Sequence, residues 1–178
     1  MEYKATLMSA EDIDRALKRI AHQIIERNHG LESVCLIGIR TRGVPLAKRL
    51  QSHIEAIEGV KVPVGELDIT LYRDDLSRIG EMPTVKGSNV DFSIEDMTVV
   101  LVDDVIYTAR TARAAMEATV KLGRPARVQL CALIDRGHTE FPIRPNYVGK
   151  NVPTSVDEVV AVRLSETDDE SSVKLFVK

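Results

Sequence analysis

The order of apolar and polar residues along the chain predicts strands that alternate with helices. Short apolar runs at residues 34–39, 98–102 and 126–134 have the length and composition of buried strands in a parallel sheet. Residues 62–72 alternate apolar and polar side chains and predict a further strand. Three short strands are predicted at residues 147–149, 158–164 and 173–177. The pattern therefore predicts an α/β fold with a mainly parallel sheet.

Three amphipathic helices follow from apolar side chains that recur every three or four residues. Ser9, followed by Asp12, predicts the N-cap of a first helix that ends near Gly30. Pro45 predicts the start of a second helix, because proline is favoured in the first helical turn. A third helix is predicted to follow residue 111. Its expected core positions are Ala112, Ala115, Met116 and Val120.

Length and composition favour one domain over residues 1–178, because 44% of the residues are hydrophobic and one core can form. No run approaches the roughly 20 apolar residues of a membrane span, and no secretory signal pattern is present at the start. We therefore expect no membrane association and a cytoplasmic location. Cys35 and Cys131 lie in apolar runs and are expected to be buried thiols. The net charge of −3 gives no overall attraction to RNA, which would need a local basic patch.

Residues 98–111 connect an apolar strand to a helix through two carboxylates and several hydroxyl groups. Parallel sheets bind ligands at the carboxyl ends of their strands. There, Asp103 and Asp104 can accept hydrogen bonds from ribose hydroxyls and help to hold hydrated Mg²⁺. Thr108 and Thr111 add hydroxyl groups beside the free amides of a helix start, which favour a phosphate monoester. The segment therefore predicts a site for a ribose 5-phosphate.

Other polar segments follow neighbouring strands, and each of them has two possible interpretations. Thr41 and Arg42 lie in a strand-to-helix loop that either binds pyrophosphate or is an ordinary turn with solvated arginines. Arg73 lies in a charged segment that is either a functional loop or an exposed hairpin. Arg136 either contacts a phosphate or base or belongs to a turn whose polar groups are satisfied locally.

Basic side chains form a stripe on the first helix, on the face opposite its apolar residues. The stripe consists of Arg15, Lys18, Arg19 and His22. Such stripes are often only solvated, so the pattern alone leaves open whether this one binds a partner. Three further residues extend the surface if the fold brings them close, namely Arg27, Arg144 and Lys150.

Residues 98–111 resemble the phosphoribosyl diphosphate (PRPP) signature of type I phosphoribosyltransferases. Together with residues 20–28, 38–43, 67–76, 135–138 and 149–155, they make nearly the whole chain resemble the bifunctional PyrR family. The resemblance implies the type I phosphoribosyltransferase fold, with a mainly parallel central sheet flanked by helices, a small hood and a flexible β-loop. It also implies a uridine-nucleotide-responsive regulator that binds the leader mRNA of pyrimidine biosynthetic operons, promotes transcription attenuation and has uracil phosphoribosyltransferase activity.

The resemblance implies roles for individual residues of this chain. The implied catalytic residues are Asp103, Asp104 and Arg73, and the two aspartates also approach Mg²⁺ through water or the ribose. The implied substrate-binding residues are Thr41, Arg42, Val105, Ile106, Tyr107, Thr108, Ala109, Arg110, Thr111, Arg136 and Val160. The predicted RNA-binding residues are Lys18, Arg19, His22, Arg27, His138, Arg144 and Lys150; Lys18 is included for its charge on the helical stripe.

The implied reaction converts uracil and PRPP to UMP and diphosphate, with Mg²⁺ as cofactor. UMP or UTP would be the effector, and a homodimer or larger homo-oligomer is expected. Two alternatives remain open at this point. A purine salvage phosphoribosyltransferase would share the PRPP site but have another base pocket, and an RNA-binding UMP sensor would show little turnover.

Two positions depart from the family pattern. Ala109 stands where the family usually has glycine; a positive φ there would cost roughly 1–2 kcal/mol, whereas at negative φ the methyl group would only crowd the phosphate. We therefore predict weaker PRPP or UMP binding than in a relative with glycine. Thr139 stands where relatives often have arginine, so one RNA contact is expected to be missing.

Overall fold

The computed structural model describes residues 1–69 and 88–178. The order of elements in these ranges is β1 (Glu2–Met8), α1 (Ala10–Arg27), β2 (Val34–Ile39), α2 (Gly43–Glu58), β3 (Val64–Leu67), β4 (Thr98–Ile106), α3 (Arg110–Leu122), β5 (Arg127–Asp135), β6 (Tyr147–Asn151), β7 (Glu158–Arg163) and β8 (Ser172–Val177). None of the helices described there is both long and apolar enough to cross a membrane.

A five-stranded parallel sheet with the strand order β3-β2-β4-β5-β6 forms the centre of the fold. Its middle strand, β4, pairs with β2 on one side and β5 on the other. The carboxyl ends of these strands meet at one edge, where parallel sheets bind ligands. Strands β1, β8 and β7 form a separate antiparallel sheet, the small hood. The predicted α/β fold is confirmed.

Side chains of β4 alternate between two core layers, one on each face of the central sheet. Val100 and Val102 pack in the layer that contains the apolar faces of α1 and α2. Val99 and Leu101 pack in the layer that contains the alanine-rich face of α3. Both faces of the strand are therefore buried, which explains why its sequence is continuously apolar.

Helix α1 forms as its sequence predicts. Ser9 and Asp12 form a capping box in which each side chain accepts a hydrogen bond from the other residue's backbone amide. The predicted apolar residues Ile13, Leu17, Ile20 and Ile24 are all buried. The helix ends at Arg27, and the side chain of Asn28 donates to the Ile24 carbonyl.

Several element boundaries differ from the sequence prediction. Strand β4 continues through Ile106, because Asp103 and Val105 still pair with β5. Helix α2 begins at Gly43, two residues before Pro45. The prediction that Val120 packs in the core is wrong: its side chain is 60% exposed, and α3 packs through alanines and Thr119 instead. Strand β1 was not predicted, because among its residues only Met8 is buried.

Within the described residues, the strand predicted at residues 62–72 is shorter than the sequence pattern indicates. Strand β3 ends at Leu67, although Ile69 is buried as the alternation predicts. The remainder of that strand, and the predicted flexible loop with Arg73, lie outside the described residues.

Candidate active site

The end of β4 and the start of α3 form the wall of a cavity of about 280 Å³. The cavity is lined by Asp103, Asp104, Val105, Ile106, Tyr107, Thr108, Ala109, Arg110, Thr111, Ala112, Leu130, Ala132 and Val160. The fold therefore brings Val160 of the hood next to the continuous segment 103–111 that the sequence analysis singled out. Leu130 and Ala132, on β5, were not predicted to line a site, because a buried strand position carries no sequence signal for a cavity.

The two carboxylates are oriented by the backbone of their own strand. The amide of Asp104 donates to Oδ1 of Asp103 at 2.9 Å, and the amide of Val105 donates to Oδ1 of Asp104 at 2.8 Å. Both aspartates are half-buried at the cavity wall. Local hydrogen bonds thus orient two acceptor groups that line the same cavity and can accept hydrogen bonds from the hydroxyl groups of a ribose.

The start of α3 has the features of an anion site. Its N-cap residue, Ala109, has a left-handed backbone with φ of +69° and ψ of +12°, and its methyl group cannot cap the helix. The Arg110 amide donates to the Thr108 hydroxyl group at 3.4 Å. The carbonyl of Thr108 accepts a hydrogen bond from the Glu140 amide at 3.0 Å, which anchors the loop. Because the amides of a helix start and the helix dipole favour a negative charge, this end of the cavity suits a phosphate group.

The loop that contains Thr41 and Arg42 lies next to the acidic pair. A Cβ atom on Gly43 would lie 2.2 Å from the carbonyl oxygen of Val102, the residue before Asp103, so only glycine allows this approach. The peptide bond between Arg40 and Thr41 is cis. Thr41 lines a different cavity, of about 330 Å³, together with Lys48 and Thr167.

Arg42 forms a bidentate ion pair with Asp168, a residue that the sequence analysis did not select. Nε and Nη2 of Arg42 donate to the two carboxylate oxygens of Asp168 at 3.2 and 3.0 Å. Asp168 also accepts from the Leu164 amide and from the Thr167 hydroxyl, both at 2.9 Å. These bonds, above all that from Arg42, lower the pKa of Asp168 to about 2. The hydrogen bond to Asp168, and then the charges of Asp168 and Asp104, raise the pKa of Arg42.

Arg136 lies behind the cavity wall, and it is only 7% exposed. Its guanidinium group stacks 4.1 Å from the ring centre of Tyr107, while Nε donates to the Thr154 hydroxyl at 3.0 Å and Nη2 donates to the Glu158 carbonyl. Arg136 therefore connects the hood to a residue that lines the cavity. Its direct contact with a substrate stays a prediction.

All of the predicted RNA-binding residues are exposed. Arg19 donates to the carbonyl groups of Val148 and Gly149 at 2.9 and 2.6 Å, and Lys150 donates to the Leu7 carbonyl at 2.9 Å. The Arg19 contacts place α1 alongside β6, and the Lys150 contact joins β6 to β1. The ring of His138 makes an edge-to-face contact with Tyr107, at 5.5 Å between ring centres. His138 therefore contacts a residue that lines the cavity, and its role in RNA binding stays a prediction.

The donor set suits Mg²⁺ only together with a bound phosphosugar. No group of three or more histidine, cysteine, aspartate or glutamate side chains able to hold a metal ion occurs within residues 1–69 and 88–178. Mg²⁺ is commonly bound by one or two carboxylates, with water and substrate oxygens completing its shell. Asp103 and Asp104 fit this partial role, either directly or through water and the ribose.

Residues 6–167 match the family model described as "Phosphoribosyl transferase domain". Solved structures with the same fold include a hypoxanthine-guanine phosphoribosyltransferase from Bacillus anthracis, with a TM-score of 0.74 and 20% identity over 100% of both chains. A hypoxanthine phosphoribosyltransferase from Trypanosoma cruzi has a TM-score of 0.78 at 20% identity, over 99% of this chain and 96% of that one. At this identity, the likeness establishes the fold alone.

Much more similar sequences carry the name "Bifunctional protein PyrR". The protein from Alkaliphilus metalliredigens is 62% identical over 95% of this chain and 93% of its own length. The protein from Deinococcus radiodurans is 57% identical over 97% and 94% of the two chains, and that from Clostridium novyi is 54% identical over the full length of both. The chain therefore belongs to the phosphoribosyl transferase domain family and, within it, to the family of bifunctional PyrR proteins.

Proposed function

We propose that this chain is a UMP-responsive regulator of pyrimidine biosynthetic operons that also forms UMP and diphosphate from uracil and PRPP. As a regulator it binds leader mRNA and promotes transcription attenuation. It acts in the cytoplasm as a homodimer or larger homo-oligomer. The observation that carries the enzymatic part is that Asp103 and Asp104 line the same cavity as the start of α3.

The geometry supports a model in which different residues bind different parts of one PRPP molecule. The amides and hydroxyl groups of residues 108–111 bind the 5′-phosphate, and Asp103 and Asp104 accept hydrogen bonds from the ribose hydroxyls. Thr41 and Arg42 bind the diphosphate from the loop that Gly43 brings against β4. Mg²⁺, when bound with PRPP, supplies positive charge to the diphosphate leaving group. Residues held in advance around the sugar reduce the cost of orienting it before uracil attacks its C1 atom.

Charge placement accounts for the rate acceleration without a covalent intermediate. Positive charge develops on the sugar ring as the diphosphate leaves, and the two fixed carboxylates lie where they stabilise it. Arg42 stabilises the opposite charge on the leaving group, and the nearby Asp168 keeps its guanidinium group in place until diphosphate binds. Arg73 is proposed to close over PRPP and help to exclude water, and Arg136 supports the nucleotide site through Tyr107.

An assay with radiolabelled bases tests the enzymatic proposal. We expect UMP to form from uracil and PRPP in the presence of Mg²⁺, with no product from hypoxanthine or guanine. Asp104→Asn removes one negative charge beside the sugar and is expected to lower kcat/KM by about a hundredfold, the usual range for losing one electrostatic group. Asp91→Asn, which changes an exposed aspartate that does not line the cavity, is the matched control.

The outcomes separate the alternatives. Product from a purine base but not from uracil would identify a purine salvage enzyme. Binding of leader RNA in response to UMP without any UMP synthesis would identify a nucleotide sensor. An Asp104→Asn protein as active as the Asp91→Asn control would contradict the role given to the acidic pair.

The regulatory proposal rests on the exposed basic residues of α1 and its neighbours. We expect a gel-shift assay to show tighter binding of pyrimidine leader RNA when UMP is added. Because coupling between two sites is reciprocal, RNA must raise the affinity for UMP by the same factor. RNA binding that is identical with and without UMP would contradict this regulation.

A further inference from the structure

A second cavity of about 530 Å³ lies away from the nucleotide site, at the other ends of the strands. It is formed where α1 ends and where β5 and β6 begin. Its polar lining residues are Arg27, Asn28, His29, Arg127, Gln129 and Asn146. Of these, only Arg27 has a role in the function proposed above.

A closed set of hydrogen bonds forms the floor of this cleft. Nε2 of Gln129 donates to Oδ1 of Asn28 at 3.0 Å, and Nδ2 of Asn28 donates to Oε1 of Gln129 at 3.2 Å. The Tyr147 hydroxyl group donates to the same Gln129 oxygen at 2.6 Å. Gln129 and Tyr147 are buried. The floor is therefore fixed before any ligand arrives, and its polar groups satisfy one another.

The rim of the cleft carries positive charge that the described part of the chain does not neutralise. Arg27, on α1, and Arg127, on β5, are exposed and both line the cleft, and neither forms an ion pair with a residue in the ranges 1–69 and 88–178. Arg27 lies 5.9 Å from the ring centre of Tyr147. Glu32 lines an adjoining groove together with Arg127. Two guanidinium groups facing one opening form a site for phosphate groups.

The Asn146 side chain adds a directed donor to the rim. Its Oδ1 atom accepts a hydrogen bond from the Leu130 amide at 2.8 Å, which fixes the orientation of the amide group. The remaining Nδ2 group is exposed at the cleft and can donate to a base carbonyl or a phosphate oxygen.

The cleft continues the basic surface of α1. Arg19 and Arg27 are separated by eight residues, or about 12 Å along the helix axis. A nucleic-acid strand carries more than one phosphate group over such a length, so one strand can contact Arg19 and Arg27 through different phosphates. A strand that contacts Arg19 and follows the helix therefore reaches the cleft.

We propose that this cleft is part of the RNA-binding surface, with Arg27 and Arg127 binding phosphodiester groups. The proposal rests on the RNA binding proposed above and adds three contact residues to it, Arg127, His29 and Asn146. RNA is favoured over a small anion because the guanidinium groups lie on separate elements, with a neutral amide surface between them, as an extended strand requires.

The test measures the affinity of fluorescently labelled leader RNA at several salt concentrations, in the presence of UMP. Each lost phosphate contact lowers the slope of log affinity against log salt by about 0.7 for single-stranded RNA. Arg127→Gln is therefore expected to lower the slope by about 0.7 and the affinity roughly fivefold at 0.1 M salt. The Arg27→Gln, Arg127→Gln double variant is expected to lower the slope by about 1.4.

Lys61→Gln is the matched control, because it removes one exposed positive charge before β3, at the opposite edge of the central sheet. It should leave the salt slope unchanged, and none of these variants should alter UMP synthesis. Equal slopes for Arg127→Gln and Lys61→Gln would overturn the inference while leaving the proposed function intact. A change in the sedimentation mass of Arg127→Gln would also overturn it, by showing that the cleft joins subunits. A wild-type protein that binds no leader RNA would overturn both proposals.

Discussion

For Ala109, the sequence predicts a role but not the backbone conformation on which the effect of its methyl group depends. The sequence places it in the segment that is predicted to bind phosphate, but does not give the sign of φ. The structure gives φ of +69°, the region in which a Cβ atom is unfavourable. Its methyl group is buried at the cavity wall. The cost foreseen for a positive φ therefore applies to this chain.

We expect Ala109→Gly to raise the affinity for UMP by about fivefold, equivalent to about 1 kcal/mol. Glycine adopts left-handed backbone angles without strain, so the loop can close around the phosphate with small rotations. Isothermal titration calorimetry of both proteins with UMP measures the change. Ala126→Gly is the control, because Ala126 is exposed and does not line the cavity. Equal affinities in wild type and Ala109→Gly would contradict the prediction that Ala109 weakens UMP binding.

At the level of elements, the contact between Arg42 and Asp168 ties the loop before α2 to the turn between β7 and β8. The sequence predicts Arg42 as a ligand residue because it lies between a buried strand and a helix. Asp168 lies 126 residues further along the chain, and no local pattern indicates such a contact. The boundaries of β4 and the exposure of Val120 were missed for the same reason, since both depend on neighbouring elements.

Asp168→Asn is expected to lower the melting temperature at pH 7 and to have progressively less effect as the pH falls. The folded-state pKa of Asp168, about 2, lies below its ordinary value of 3.8, so its stabilising effect is present above pH 4. That effect is lost between about pH 4 and pH 2, as the carboxylate becomes protonated.

Melting curves of wild type and variant between pH 2 and pH 7 measure the difference. Asp169→Asn is a suitable control, because it changes an exposed neighbour outside this contact. A constant difference between wild type and Asp168→Asn across the whole range would show that the ion pair does not contribute to stability.

At the scale of the whole molecule, the two core layers are separated by the central sheet. Cys131 belongs to the layer beneath α1 and α2, and Cys35 belongs to the layer beneath α3. Burial raises the pKa of each thiol to about 12. The sequence correctly predicts buried free cysteines, because both lie within apolar strands. We propose, as composition predicts, that the whole chain folds as one domain.

This proposal predicts that both thiols become reactive in one transition. In native protein at pH 8, each should react slowly with a disulfide reagent. The reactive form is the thiolate, and the raised pKa keeps both thiols protonated at this pH. In increasing urea, both should become labelled at the same midpoint as the loss of helical circular dichroism. The variants Cys35→Ala and Cys131→Ala assign the signal to one layer at a time. Two well-separated midpoints would contradict a single cooperative domain.

Because Gly43 has no side chain, its close contact with β4 has a consequence for substrate choice. Main chain packs directly on main chain between this loop and β4, so rotamer changes cannot widen the gap between the two ends of the nucleotide site. We therefore expect the backbone to fix the distance between the proposed diphosphate and 5′-phosphate positions. A sugar one carbon longer could not be accommodated by repacking, and size exclusion of hexose phosphates would follow from backbone spacing alone.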